Sequence, residues 1–532
     1  MHPSEHMEQL IIDRLYPILQ KHGIRDGVRK YRAQKNFGDV TIDLQKVNED
    51  VPAQEIEALS DDILTFKKTN KFINVTYGNN YYCTLILDSI DEGSLFTFER
   101  KEKRILVEHT SANPTGPLHI GRARNSIIGD TIARILRKYG FEVTTEYYMD
   151  DIGTQVEALL LGTEKFKDDN YTEAYRKYFA EIDSHKEEVE NAMKMAESGN
   201  EKFIAESKKR LEVFLYDLLK DLEDLNIFFD GFTWESRFIL DGSVKVVLDN
   251  LKEHLKDDEG AKYIQRGEDK IYLMRSNGTS LYFTRDIAYH ILKSRNYDLS
   301  IDVLGEDHKD HFKNLTYILG ILGIHSTEAV FYSFVVTKKG KMSTRRGNVV
   351  TLRDLISESI ELAEDEIRKR RTDLDEKTVG EIARKIGTAA VRYNMIKFAP
   401  EKPITFDWDE ALNFEGEAAP FIMYSYARAS SILKKASGSG TLNKQFLDRE
   451  AELLKEISRF PEVVKDAAER RRPDRIAKYS YELSSTFNQF YRDCPVIGDI
   501  ENYQKRVNIT KAFKLTMDQI FDLLGIIPSD KI

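Results

Sequence analysis

The spacing of apolar residues changes several times along the chain, and each change marks an element. From Arg104 the run ILVEHTS reads as a buried strand. Ile127, Ile128, Ile132, Ile135, Leu136 and Tyr139 then recur at helical spacing until Gly140, and FEVTTEYYM reads as strand again. Strand, helix, strand is one βαβ unit, the building block of a parallel α/β sheet. Upstream, FINVTY and YYCTLIL read as short alternating segments separated by the turn-former GNN, which predicts a small α+β module over residues 1–100. From about Gly153 to Asp230 the chain is charged, helix-favouring and nearly free of glycine and proline, as a helical insertion would be. The sheet pattern then resumes, with LYFTRDIAYHIL, IDVLGED and VFYSFVVT as apolar segments alternating with helical ones. After Pro400 the pattern is helical almost to the end, interrupted by ASGSGT at Ala436 to Thr441.

These elements predict a multidomain α/β protein. It has a Rossmann-like parallel-sheet core at 101–152 and 232–350, a helical insertion at 153–231 that divides the core, a linker at 351–400 and an all-α bundle at 401–532 around it. A length of 532 residues suits several cores rather than one. The N-terminal residues mix acids and histidines with apolar residues and lack the layout of a signal peptide. No run approaches the roughly 20 apolar residues that span a bilayer, so the expectation is a cytoplasmic protein without a membrane partner. Cys83 and Cys494 stand far apart in sequence, which excludes a disulfide framework or a cysteine-rich zinc site.

A formal charge of −10 argues against binding nucleic acid by bulk attraction, so such binding would need local patches. Between Tyr332 and Pro400 there are 15 Lys/Arg against 10 Asp/Glu, including RKRR at Arg368 to Arg371. That run is either a solvated helix face or a phosphate contact. The cations at Arg470 to Arg472 carry the same two readings.

The densest chemistry lies in NPTGPLHIGRAR, Asn113 to Arg124, where a parallel strand ends and a helix begins. Open α/β sheets bind ligands at that position, and a helix start attracts phosphate. Gly116 and Gly121 permit close approach of a backbone or a flat ring, while His119, Arg122 and Arg124 supply donors for anionic oxygens. A turn that merely needs glycine and proline is the alternative for the glycines.

HIGR, at His119 to Arg122, resembles the HIGH signature of class I aminoacyl-tRNA synthetases, and KMSTRRGN, from Lys341, resembles their KMSKS loop. The order and separation of the pair are more specific than either tetrapeptide. ANPTGPLHIG, SLYFTRDIAYH from Ser280, NFEGEAAPFIMYSYARASSIL from Asn413 and FNQFYRDCPVIG near the C-terminus are similar to segments of the arginyl-tRNA synthetase family in particular. The resemblance spans essentially the whole chain. It implies ATP-dependent activation of L-arginine and transfer to tRNA(Arg), with a tRNA-elbow contact in the N-terminal module, a stem contact in the 351–400 segment and an anticodon-binding domain in the helical C-terminus. The chain is expected to act as a monomer. The cysteinyl family, with a related C-terminal domain, uses a cysteine-rich zinc site that two distant cysteines cannot build. A synthetase-like RNA-binding protein without aminoacylation activity is the other reading.

The resemblance also implies roles. His119 donates to the ATP phosphates, Gly116 and Gly121 leave room for the nucleotide, and Lys341, Met342 and Ser343 with Arg345 or Arg346 stabilise charge on the departing pyrophosphate. Arg122 stands where HIGH has its second histidine and Thr344 where KMSKS has its second lysine. Asp286 and Tyr282 hold the guanidinium, with Glu108 a second candidate, because a planar five-donor fork calls for placed acceptors. Asn113 and His308 face the amino and carboxylate groups of the substrate. In the C-terminal domain Tyr424, Arg428 and Arg471 are candidates for tRNA, with helix packing as the alternative for the tyrosines. Mg²⁺ is expected to arrive with ATP rather than in a protein site.

Overall fold

The structure is a computed structural model that describes residues 2–33, 37–113, 116–166, 171–337, 350–437 and 443–532. At its centre is a five-stranded parallel sheet. Its strands in chain order are β1 (Arg104–Glu108), β2 (Glu142–Met149), β3 (Gly231–Trp234), β4 (Leu299–Gly305) and β5 (Thr327–Tyr332), and their spatial order is β5, β4, β1, β2, β3. The chain runs outward from β1 to β3 and then returns to the other side of β1. The strand order therefore reverses between β1 and β4, and ligands bind beyond the carboxyl ends of strands at such a reversal. Ile105, Leu106 and Val107 are all buried, as expected of a strand covered on both faces.

The helix Ile120–Lys138 follows β1 and packs Ile127, Ile128, Ile132, Ile135 and Leu136 into the core. Gly140 ends it at φ +102°, where a Cβ would stand 2.1 Å from the Glu99 carbonyl oxygen, so only glycine fits. Four helices, Thr154–Phe166, Tyr171–Ala180, Lys186–Glu197 and Glu201–Glu223, fill the interval between β2 and β3. A three-stranded antiparallel sheet over residues 255–274 adds a further element that the apolar pattern did not signal.

Two segments differ from the sequence expectation. YYCTLIL lies in the helix Asn79–Asp91, not in a hairpin, because Tyr82, Cys83, Ile86, Leu87 and Ile90 are buried at helical spacing. LYFTRDIAYHIL lies mostly in the helix Tyr282–Asn296, whose buried face combines Phe283, Ile287 and Ala288 with Arg285, His290 and Lys293. Its charged residues recur at a helical period that the apolar ones mask. FINVTY, by contrast, forms the strand Phe72–Tyr77 with Ile73, Val75 and Tyr77 inside a four-stranded antiparallel sheet.

The helices Leu352–Arg370 and Glu376–Ile396 pack on each other and lead into the C-terminal bundle, formed by Ala419–Lys435, Asp448–Ile457, Phe460–Arg470, Pro473–Asp493 and Tyr503–Leu524. Buried arginines tie these parts together. Arg392 donates to the carbonyls of Leu225 and Leu524 and to the Asp130 carboxylate on the 120–138 helix. Arg124 is also buried, and it donates to the carbonyls of Ser333 (2.7 Å), Lys402 (2.9 Å), Ala399 (3.2 Å) and Met395 (3.3 Å). Arg124 is therefore an internal clamp, which corrects the expectation that it donates to an anionic ligand.

Candidate active site at the strand reversal

The backbone leaving β1 is strained. Thr110 and Ser111 have φ of 69° and 40°, a region that residues with a side chain seldom occupy, and several bonds hold them there. Thr110 N donates to Asn125 Oδ1 (2.6 Å), its hydroxyl donates to Ser126 (2.8 Å), and the Ser111 hydroxyl both donates to Glu108 (2.9 Å) and accepts from Tyr148 N (3.1 Å). The chain thereby turns sharply over the carboxyl end of the sheet.

His119 is the N-cap of the 120–138 helix, its Nδ1 accepting from Gly121 N at 3.1 Å. A Cβ at Gly121 would lie 3.0 Å from the imidazole Cε1, so glycine here makes room for the His119 ring. Burial lowers the His119 imidazole below its ordinary value and Arg122 adds to the effect, which favours a neutral ring. Val350 and Leu352 pair with this segment: Ile120 N donates to Val350 O (3.2 Å) and Leu352 N to Leu118 O (2.5 Å). Lys341, Met342, Ser343 and Arg345, with Lys338, Lys339, Thr344 and Arg346, lie outside the described residues. A Cβ at Gly116 would touch Thr172 of the insertion at 3.5 Å.

The helix Tyr282–Asn296 presents Asp286 to the same end of the sheet. The Asp286 carboxylate accepts from His311 Nε2 at 2.7 Å and pairs with His290 Nδ1 at 3.1 Å. Although burial opposes ionisation, these two imidazoles hold the Asp286 carboxyl far below the usual carboxylate range. Tyr282 is exposed and lies parallel to the His311 ring, with 5.6 Å between centroids. His308 stands 6.2 Å from His311, ring to ring. Asn113 donates to Gln155 at 3.4 Å. Both oxygens of Glu108 are engaged, Oε2 by Lys293 (2.6 Å) and Oε1 by Ser111 (2.9 Å).

The fold thus gathers Asp286, Tyr282 and His308 around His311, a residue that motif reasoning did not single out. The Tyr148 hydroxyl also escaped it: it is buried without a hydrogen-bond partner among the described residues, and its ring stacks on Tyr289 at 4.5 Å. Only helical spacing hinted at His311, three residues beyond His308. Nothing in the apolar pattern of β2 distinguished Tyr148 from a packing tyrosine.

A second concave region lies on the C-terminal bundle. Its cavity of about 840 Å³ is lined by Arg371, Tyr424, Arg428, Lys435, Tyr491 and Arg492, among others. The Arg428 guanidinium lies 4.8 Å from the Tyr424 ring and 4.6 Å from the Tyr491 ring, and donates to Asn488 at 2.6 Å. Arg471 stands outside this cavity. It terminates the helix Phe460–Arg470 in a left-handed conformation, donates to the Ala468 carbonyl and pairs with Glu328 on β5 at 3.2 Å. Within RKRR, Arg368 pairs with Glu364 and Glu376 and Lys369 with Glu366, as on a solvated helix face. Arg470 and Arg472 pair with Asp466 and Asp474.

A parallel sheet whose HIGH-like segment caps a helix at the strand reversal, followed by a helical C-terminal domain, defines a class I aminoacyl-tRNA synthetase. The sequence model described as "tRNA synthetases class I (R), catalytic domain" matches residues 87–408, and "DALR anticodon binding domain" matches 422–532. An arginine--tRNA ligase of Thermoplasma acidophilum is 41% identical over 468 residues, covering 86% of this chain and 85% of that one. The Archaeoglobus fulgidus arginine--tRNA ligase is 39% identical over 496 residues, 90% of each. The solved Thermus thermophilus arginyl-tRNA synthetase aligns with a TM-score of 0.84 at 24% identity, over 98% of this chain and 100% of that one, and shares the fold. The chain belongs to the arginyl-tRNA synthetase family. Among the described residues no helix is long and apolar enough to cross a membrane.

Proposed function

We propose that the pocket at the strand reversal binds arginine through Asp286 and Tyr282 and ATP through His119 and Arg122. The enzyme activates L-arginine with ATP and transfers it to tRNA(Arg). A carboxylate oxygen of arginine attacks the α-phosphorus in line and pyrophosphate leaves; a hydroxyl of the terminal tRNA adenosine then attacks the arginyl carbonyl and AMP leaves. Neither step needs a covalent protein nucleophile, so positioning and charge stabilisation carry the catalysis. The observation that carries the arginine assignment is the ionised Asp286 carboxylate, bonded to His311, on whose ring the exposed Tyr282 is stacked. An anionic acceptor there selects a cation; its oxygens already accept from His290 and His311, so a guanidinium meets their remaining lone pairs.

His119 and Arg122 suit phosphate oxygens and not a hard cation, so Mg²⁺ enters on the ATP phosphates, where most of its ligands are phosphate and water. By the family resemblance, Lys341, Met342, Ser343 and Arg345 are assigned to the phosphates. His308 and Asn113 are assigned to the amino and carboxylate groups, and Gly116 and Gly121 to the nucleotide's approach. All three substrates are served by surfaces of one chain, which supports a monomer as the active unit.

Pyrophosphate exchange across the amino acids tests this reading. Exchange is expected with arginine, near background without tRNA and raised when tRNA(Arg) is added, as the family resemblance implies. Exchange with another amino acid, or robust exchange without tRNA, counts against it.

For the tRNA, Tyr424 and Arg428 join Arg371, Tyr491 and Arg492 in a basic, aromatic cavity suited to unstacked nucleotides. Arg428→Ala removes the cation between two tyrosines and is expected to weaken tRNA binding about 10-fold. Filter binding reads this, and a folded variant with unchanged affinity removes Arg428 from the interface. Arg471 is engaged between the bundle and β5 and is left out of this set.

A further inference from the structure

Behind the pocket wall runs a buried chain of charges. Lys293 lies within 2.6 Å of Glu108 and 2.7 Å of Asp302, and Asp302 accepts from His290 Nε2 at 2.8 Å. On its other side, His290 Nδ1 faces the Asp286 carbonyl at 2.9 Å and the Asp286 carboxylate at 3.1 Å. His290, Lys293 and Asp302 are each about 3% exposed or less, out of reach of a ligand in the pocket.

The partners of His290 fix its protonation. Nδ1 faces only acceptor oxygens and so carries a hydrogen, and Nε2 lies 2.8 Å from the Asp302 carboxylate, closer than the Lys293 ammonium, which favours a hydrogen there too. A neutral ring would set the Nε2 lone pair against the nearer Asp302 oxygen. Lys293 Nζ, 3.3 Å from Nε2, is a second cation drawn to Asp302. The other titratable groups packed around the ring are Glu108 on β1, Glu146 on β2 through its bond with Tyr289, Tyr148 above Tyr289, and His311 on the helix Lys309–Ile321. Burial and Lys293 push the His290 imidazole down, but Asp302 and Asp286 outweigh them and raise it to about 9.

We propose that His290 is the positioning residue of arginine recognition: clamped as an imidazolium between Asp286 and Asp302, with Lys293 behind, it fixes the rotamer and the charge of the Asp286 carboxylate before substrate arrives. Asp286 Oδ1 is then held from inside the protein by buried His290, while Oδ2 faces the partly exposed His311. Substrate finds an acceptor already ionised and oriented, so neither proton transfer nor side-chain reordering accompanies binding.

This inference rests on the assignment of Asp286 to the guanidinium, and the experiment separates the two. The amide nitrogen of asparagine can stand where His290 Nδ1 stands, and that of glutamine where Nε2 stands. His290→Asn therefore keeps a donor to Asp286, whereas His290→Gln keeps only the link to Asp302. His290→Gln is expected to raise KM for arginine about 10-fold or more, with kcat and KM for ATP within about threefold, and His290→Asn to stay close to the parent. A purely structural role would impair both variants alike, and that result, or a folded His290→Gln enzyme with unchanged arginine KM, overturns the proposal. If Asp286→Asn itself leaves arginine kinetics unaltered, the binding assignment fails first; if Asp286→Asn is impaired and His290→Gln is silent, only the positioning role fails. The unsubstituted enzyme provides a measurement independent of any variant's folding. With ring-¹³C histidine, one resonance is expected to remain imidazolium up to pH 8, and complete neutralisation of all histidines by that pH overturns the clamp.

Discussion

Asp286→Asn is expected to lower kcat/KM for arginine by about 30- to 4,000-fold while direct ATP binding changes little. The side chain keeps its size, but the charge is gone and one acceptor becomes a donor facing donors. Removing one partner from a desolvated charged pair costs roughly 2–5 kcal/mol, and every 1.4 kcal/mol is tenfold. Asp286 also anchors His311 and His290, so a thermal melt must accompany the kinetics to show that the variant is folded. His119 and Arg122 lie on a different helix, which is why ATP binding should be spared. Discrimination against citrulline, neutral but similar in shape, should narrow, because the wall no longer favours a cation. A folded variant with unaltered arginine kinetics removes Asp286 from the binding site. Glu108, whose oxygens are engaged by Lys293 and Ser111 as those of Asp286 are by His290 and His311, is then the next residue to examine.

Most strands of the parallel sheet were legible because buried strands are short apolar runs bounded by turn-formers, as in ILVEHTS, FEVTTEYYM and IDVLGED, whereas β3, the four residues GFTW at Gly231–Trp234, was too short to stand out. The failures have a common cause. In YYCTLIL and LYFTRDIAYHIL the apolar residues are dense enough to satisfy a strand pattern, while the helical period shows only in which residues become buried. In the second segment Asp286, His290 and Lys293 sit at i, i+4 and i+7, one face of a helix, and their ionic partners come from β1, β4 and the 309–321 helix. Single-segment periodicity can place three charges on one face. It cannot say that Glu108, Asp302 and His311, all on other elements, converge on that face. The two guanidinium candidates, Asp286 and Glu108, are both joined to this chain, and Asp286 is the more exposed of the two, 22% against 13%. That distinction depends on where Lys293 points and was beyond the sequence.

Arg122 and Arg124 make the same point at closer range, and their substitution should separate two effects that the motif merges. Both follow the HIGH-like histidine, two residues apart, and two residues along a helix point to different sides. Arg122 is half-buried at the pocket end, whereas Arg124 turns inward and donates to the carbonyls of Ser333, Met395, Ala399 and Lys402, which belong to the end of β5 and the segment leading into the bundle. Burial lowers the Arg124 guanidinium to about 10, so it stays charged at neutral pH. Arg124→Met keeps an unbranched apolar stem but removes the guanidinium, and leaves those buried carbonyls without their donor. A buried acceptor stripped of its partner costs about 1–3 kcal/mol, and with several affected together the loss should reach at least about 3 kcal/mol, although such costs do not add linearly. Thermal unfolding should show a large fall in midpoint for Arg124→Met. Arg122→Met should melt like the parent and instead raise KM for ATP, because its removal takes a donor from the phosphate end. An Arg124→Met protein as stable as the parent would mean that these carbonyls find other donors and that the clamp does not hold the catalytic domain to the bundle. Normal ATP kinetics in Arg122→Met would leave His119 as the only cation-capable donor of the HIGH-like segment in the site.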